Sequence, residues 1–330
     1  MQPIVIVGAG GIGCAIGHAL LEAGRRVLMV ERNPRKIDSG VVDGVMVVGR
    51  TPRPAEWMTF DDWTPTPDAT VILCTKCYDN AAVLDRLPAS ANLIPIQNGF
   101  DAALEYRDHA FEGIASFVSE CEADRPVTRI TRRGKLHLGP RVDRSASHSA
   151  ELKQLAKDLG RSRLFRVVTV RAIEPYKYSK LMYNAAISPL AAAAGIDNGR
   201  LLSIPAARKL FFAFLQENYR ILRDAGVELG KIGPFHPRTV AFILRQRWLA
   251  CLLARAFEPS LRGTYCSMAP DLPRGITEID NYNQRLVDLA GNRPCPLNRA
   301  AVALIKRMER ERLPPRLEML GELETAGKLS

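Results

Sequence analysis

The strongest constraint on this chain is a glycine-rich turn a few residues from its start. Ile4–Val7 is an all-apolar run, residues 8–13 read G-A-G-G-I-G, and residues 12–23 are small or apolar up to a stop at Gly24. A run without polar alternation is what a strand buried on both faces requires. The turn that joins it to a helix has to be tight. Gly8 makes the bend, Gly10 leaves backbone open to a pyrophosphate, and Gly13 lets helix and strand pack closely. The helix N-terminus, at Gly11 and Ile12, offers unpaired N–H groups to an anion. A second apolar run, residues 27–30, completes a βαβ unit. G-x-G-x-x-G alone is a weak signal; its place between strand and helix points to a dinucleotide.

The same rhythm continues for half the chain. Residues 45–48, 70–74 and 92–96 read as further buried strands, with a helix over 79–87, which together predict a doubly wound parallel sheet. Runs at 114–119, 135–138 and 165–170 are expected to extend it, and the basic, polar stretch 125–149 to be mostly surface loop or hairpin. After Val170 the β pattern stops. Helices are predicted over 178–194, 205–225 (capped by Ser203, stopped by Gly226), 237–256, 277–290 and 297–312. At 330 residues the chain is long enough for two cores. The expectation is therefore an α/β protein with a dinucleotide-binding domain over 1–170 and an all-helical domain over 171–330.

Which dinucleotide binds turns on the end of the second strand. Glu31 stands 18 residues after Gly13, near the usual place of an acid that holds the ribose hydroxyls of NAD. Arg32 beside it is suited to the extra phosphate of NADP, and Arg35 and Lys36 add positive charge. A carboxylate aimed into the pocket favours NAD; one aimed away leaves NADP.

Three further clusters carry chemistry. Lys76 and Asn98, the latter within Q-N-G, follow the fourth and fifth apparent strands, where ligands of such sheets bind. In Y-S-K-L-M-Y-N-A-A-I-S-P, Lys180, Asn184 and Ser188 recur every four residues and share one helical face. A lysine ammonium there can polarise a carbonyl and donate a proton. His18, His109, His137, His148 and His236 fall outside all of these clusters.

Here the chain resembles the ketopantoate reductases (2-dehydropantoate 2-reductases) over nearly its whole length: the glycine turn, Lys76, Q-N-G, the K-L-x-x-N helix, and S-M-A-P-D-L-P-R-G-I-T-E-I-D at 267–280. The resemblance implies a Rossmann-type domain joined to a helical domain and reduction of a 2-keto acid with NADPH, NAD remaining open because of Glu31. It also implies a homodimer. By this match Lys180 is the catalytic lysine, Glu278 the acidic substrate-binding residue, and Lys76, Asn98 and Asn184 supporting residues, with Ser267 open to a substrate carboxylate. Ser188 stands where the family usually has a second asparagine, and Cys266-Ser267 where it usually has two serines. The alternatives are another 2-keto acid, an opine-like substrate, or a protein that only senses the dinucleotide.

Composition decides little else. A surplus of 46 Lys and Arg over 35 Asp and Glu, +11, suits phosphates and carboxylates but also nucleic acid or an anionic membrane. No recognised nucleic-acid module accompanies the basic runs, and no apolar run reaches the ~18 residues of a membrane span. Neither partner is expected. The seven cysteines, an odd number without regular spacing, suggest free thiols in a reducing cytoplasm. Cys74 and Cys77 form a C-x-x-C without a second pair, so no metal site is expected.

Overall fold

The structure is a computed structural model that describes residues 3–141 and 150–328; the end of the expected loop, 142–149, lies outside them. The chain divides into two compact units, Met1–Glu174 and Pro175–Ser330.

In the first unit the strands are β1 (Ile4–Val7), β2 (Val27–Glu31), β3 (Met46–Val47), β4 (Glu56–Thr59), β5 (Thr70–Leu73) and β6 (Asn92–Pro95). Five of them form one all-parallel sheet in the order β4-β2-β1-β5-β6. Alternate side chains go to opposite faces, and both faces are covered. Ile4, Ile6, Met29, Ile72 and Ile94 pack under helix α1 (Gly11–Glu22). Val5, Val7, Val30, Val71 and Leu73 form a second core with Phe60 and Trp63. Chain order runs outward from β1 in both directions, so the sheet switches direction beside β1, where ligands of open α/β sheets bind.

Several expectations need correction. Residues 45–48 do not enter this sheet: β3 pairs instead with β9 (Val127–Arg132), which also pairs with β8 (Val118–Cys121). The sheet edge is β4, whose sequence E-W-M-T is half exposed and so carries no apolar run. Helix α2 (Pro34–Asp43) lies against it so closely that a Cβ on Gly40 would sit 2.3 Å from the Trp57 ring. The predicted strand 114–119 is split between β7 (Phe111–Ala115) and β8. β7, β10 (Lys135–Pro140) and β11 (Arg166–Thr169) make a separate sheet ordered β11-β10-β7, joined to the main one by a bridge between Ile96 and Gly113. Much of the stretch expected to be loop or hairpin is therefore strand, β9 and β10, which belong to two different sheets and do not pair with each other. The helix predicted over 79–87 is shorter, α3 (Asn80–Leu84), and α4 (Ala102–Tyr106) and α5 (Ala150–Arg161) complete the unit. α5 buries Leu152, Leu155 and Leu159 on the α1 side of the sheet.

The second unit holds no strand among its described residues. α6 (Glu174–Ala194), α7 (Asn198–Ser203), α8 (Pro205–Asp224), α9 (Pro237–Arg245), α10 (Arg247–Phe257), α11 (Arg285–Ala290), α12 (Pro296–Glu311) and α13 (Leu320–Lys328) follow in turn. Ser203 is not a cap: it ends α7, and Ile204 precedes Pro205 at the start of α8. The single helix expected over 237–256 breaks at Gln246. That over 277–290 opens with a π-helical turn, Asp280–Gln284.

His137, on β10, is buried at 1% exposure, and burial, aided by the charge of Lys135, lowers its pKa to about 4. The unfolded chain takes up this proton near pH 6.5, the folded protein only near 4. Between those values the unfolded state binds more protons, so stability falls as pH falls through that window. Denaturant unfolding at pH 7.5 and pH 5 should show a drop that His137→Gln makes smaller.

Candidate active site

The glycine turn is built by contacts that exclude side chains. Gly8 has φ +98°, and a Cβ there would lie 2.9 Å from the Thr75 nitrogen. A Cβ on Gly13 would lie 1.9 Å from the Gly8 carbonyl oxygen, so α1 rests directly on the end of β1. Gly10 differs: nothing lies within 4 Å of its missing Cβ, and it caps α1 without a side-chain hydrogen bond. Open space and uncapped N–H groups coincide at Gly10, which is what a pyrophosphate needs. Gly11 serves packing instead, since a Cβ there would meet the Ser119 oxygen at 2.7 Å. Ile12 is half-buried against the core.

Glu31, at the end of β2, is turned back onto this structure. One carboxylate oxygen accepts the Ala9 N–H at 2.9 Å, and the other accepts those of Arg32 at 2.8 Å and Asn33 at 3.2 Å. Its negative charge is thus held beside the glycine turn. The Arg32 guanidinium pairs with Asp79 at 2.9 Å and stacks 4.5 Å from the Phe60 ring centroid. Arg35 pairs with exposed Asp124. Lys36, expected to add positive charge beside Arg32, is buried and donates to the Ala9 carbonyl at 3.2 Å.

Lys76 opens the turn after β5, and Asn98 lies in the turn after β6. The two turns are tied together. Cys77 donates to the Asn98 carbonyl at 3.1 Å, and the Gln97 amide donates to the Thr75 carbonyl and the Asn80 side chain, both at 2.7 Å. Cys77 is therefore a structural thiol, while burial pushes the Cys74 thiol far up. The Asn98 side-chain oxygen is buried without a hydrogen-bond partner. Such an atom is expensive unless something donates to it, and a bound dinucleotide or substrate fits that need.

In the helical unit α6 carries Lys180 and Asn184, both half-buried, one turn apart on one face. Ser188, the next on that face, is buried at 3% exposure, and the Cys266 thiol lies 3.5 Å from its carbonyl oxygen. Glu278, also buried, accepts the Tyr282 hydroxyl at 3.1 Å, and that hydroxyl lies 3.4 Å from the Ser267 Oγ. The structure thus joins Ser267 to Glu278 through Tyr282, a residue the sequence reading missed. Its signal was the spacing of four from Glu278.

The helix that bears Lys180 contains Pro189, which removes the N–H that would bond the Ala185 carbonyl. Asn283, in the π-helical turn, supplies that donor from its side chain at 2.8 Å, and Asn218 on α8 likewise reaches the Met182 carbonyl at 2.9 Å. Asn283 also donates to Asn298, which donates to Glu217 and Asn218. α6 is held in register by buried amides.

A switch-point glycine turn open to phosphate in the first unit and a helix bearing a half-buried lysine and amide in the second are features of a nicotinamide-dependent oxidoreductase. The family model of ketopantoate reductase PanE/ApbA matches residues 4–141, and that of its C-terminal part matches residues 172–309. The chain belongs to the ketopantoate reductase family. The 2-dehydropantoate 2-reductase of Pyrobaculum aerophilum is 31% identical over 242 residues, 72% of this chain and 76% of that protein. That of Pyrococcus horikoshii is 25% identical over 324 residues, 93% of this chain and 97% of that protein. Among solved structures, a PanE/ApbA family ketopantoate reductase from Ralstonia eutropha JMP134 has a TM-score of 0.71 at 23% identity, covering 94% of this chain and 99% of that one. D-mandelate dehydrogenase with NADH has 0.72 at 18%, with the same coverage. The fold is the Rossmann-type sheet followed by a helical unit. No helix among the described residues is long and apolar enough to cross a membrane.

Removing the Asn283 amide leaves the Ala185 carbonyl without its donor, a loss of about 1–3 kcal/mol. Asn283→Ala should lower unfolding stability by that order in denaturant titration. Adding Pro189→Ala, which restores the helical N–H, should recover part of the loss.

Proposed function

We propose that this protein reduces a 2-keto acid to the 2-hydroxy acid with a nicotinamide dinucleotide, and that its substrate is 2-dehydropantoate (ketopantoate), giving pantoate. The observation that carries this reading is the pair Lys180 and Asn184 on a helix locked by buried amides. When bound, the reduced dinucleotide supplies the hydride. The Lys180 ammonium polarises the keto oxygen and gives it a proton as it becomes a hydroxyl. Asn184 and the Ser267 hydroxyl orient the substrate's carboxylate and hydroxyl groups, with Ser188 further along the same stripe. Glu278, working with Tyr282, anchors the substrate's polar end. In the nucleotide unit, Gly8, Gly10 and Gly13 shape the pyrophosphate site, and Gly11 and Ile12 present first-turn N–H groups. Lys76 and Asn98 face the ribose and nicotinamide end. Lys180→Ala should lower kcat by about 100- to 10,000-fold and leave dinucleotide affinity within a few-fold; near-normal turnover would overturn the assignment.

NADPH is the proposed donor, with Arg32 meeting the extra phosphate after leaving Asp79. Glu31, fixed beside the turn, opposes that phosphate and lessens discrimination against NADH. Glu31→Gln keeps an acceptor for the backbone and removes the charge. It should raise the NADPH-to-NADH ratio of kcat/KM by about tenfold, and Arg32→Ala should lower it.

A second reading, a different 2-keto acid, is favoured by Cys266 and by the burial of Ser188 at positions where the family usually has serine and asparagine. A panel of branched and aromatic 2-keto acids, followed by cofactor absorbance, separates the two. A homodimer through the helical unit suits the exposed Phe242, Trp248 and Leu252 of α9 and α10; light scattering that gives a single-chain mass would remove it. The free cysteines suit a reducing cytoplasm.

A further inference from the structure

Ala9, between the first two glycines of the turn, is fully buried, and three side chains converge on its carbonyl oxygen. They are Lys36 Nζ at 3.2 Å, Cys14 Sγ at 3.3 Å and Cys121 Sγ at 3.5 Å. Lys36 Nζ also lies 3.7 Å from Cys121 Sγ. The close approach of α1 to β8 at Gly11 and Ser119 brings the sulfurs together. Cys14 is one helical turn beyond Gly11, and Cys121 is two residues beyond Ser119, so each lies on the face of its element that makes this contact. Cys14 is fully buried, whereas Cys121 is partly exposed. The hydrogen bond from Cys14, together with the Lys36 ammonium, holds the Cys121 thiol below its ordinary value, while that bond and burial raise Cys14. One sulfur is thus accessible and activated, and the other is protonated beside it.

We propose that Cys121 and Cys14 are a peroxide-reactive dithiol beneath the glycine turn, and that closing it to a disulfide weakens dinucleotide binding. The Cys121 thiolate, paired with Lys36, attacks one oxygen of hydrogen peroxide. The O–O bond breaks, and the departing hydroxide takes a proton and leaves as water. Cys121 is then a sulfenic acid. Cys14 sulfur attacks Cys121 sulfur, the S–O bond breaks, and the Cys14 proton leaves with the hydroxyl as a second water. Two thiols and one peroxide give one disulfide and two waters; the thiols lose the two electrons that the peroxide gains. The Ala9 carbonyl then loses the Cys14 thiol as a donor, and a bond of ~2 Å between the sulfurs draws the first turn of α1 toward β8. This coupling rests on the glycine turn being the dinucleotide site; the dithiol itself does not.

The test treats the reduced full-length protein with hydrogen peroxide, maps unreduced peptides by mass spectrometry, and titrates NADPH and NADH before and after. A peptide linking Cys14 to Cys121 is expected, with a dinucleotide Kd raised about tenfold and restored by dithiothreitol. Cys121→Ser and Cys121→Ala should each abolish the link and the affinity change, and Lys36→Met should slow its formation several-fold. Oxidation of Cys121 no faster than that of Cys251, a link to another cysteine, or a Cys14–Cys121 link with unchanged affinity would overturn the proposal. If the reduced protein binds neither dinucleotide, the glycine-turn reading fails instead, and the peptide map still decides the dithiol.

Discussion

The fold depends on one contact between backbones, that of α1 on the end of β1. At Gly13 the helix comes so near the Gly8 carbonyl that no side chain fits between them. That approach sets the helix axis over the strand, leaves Gly10 facing open space, and directs the first-turn N–H groups beyond the carboxyl ends of the strands where strand order reverses. Larger residues at positions 8 or 13 would separate helix and strand and move the open turn at Gly10 with them.

Sequence reading succeeds where a single residue type has one structural meaning. The glycine turn, the runs at β1, β2, β5 and β6, and the change to helices near residue 170 were all legible because buried parallel strands and small-residue helices leave strong local patterns. It failed at β4, whose E-W-M-T has one face on α2 and one near solvent, and at 45–48, whose apolar residues serve a different sheet. A short apolar run says that a strand is buried and not which partner buries it. Position 36 failed for a related reason, since a lysine close to Arg32 and Arg35 reads as one more charge for a phosphate until a carbonyl and a thiol are seen around it.

In the helical unit the spacing of Lys180, Asn184 and Ser188 is a local pattern, and what holds their helix is not. Pro189 would ordinarily mark the end of a helix. α6 continues through it because an amide from a distant segment replaces the missing N–H, and no local pattern announces a donor 94 positions further along. Tyr282, between Ser267 and Glu278, belongs to the same π-helical turn as Asn283. The extra residue in that turn sets the hydroxyl toward the acid while its neighbour's amide reaches α6. The hydroxyl that meets Glu278 and the amide that braces α6 thus fall on adjacent residues.

The Glu31 carboxylate has a further consequence. Its two oxygens take three backbone N–H groups, one of them from the glycine turn itself. A neutral apolar residue in its place would leave all three N–H groups, that of Ala9 in the turn and those of Arg32 and Asn33 after β2, without their acceptor. The negative charge beside the glycine turn and the bracing of the turn's backbone therefore rest on one side chain.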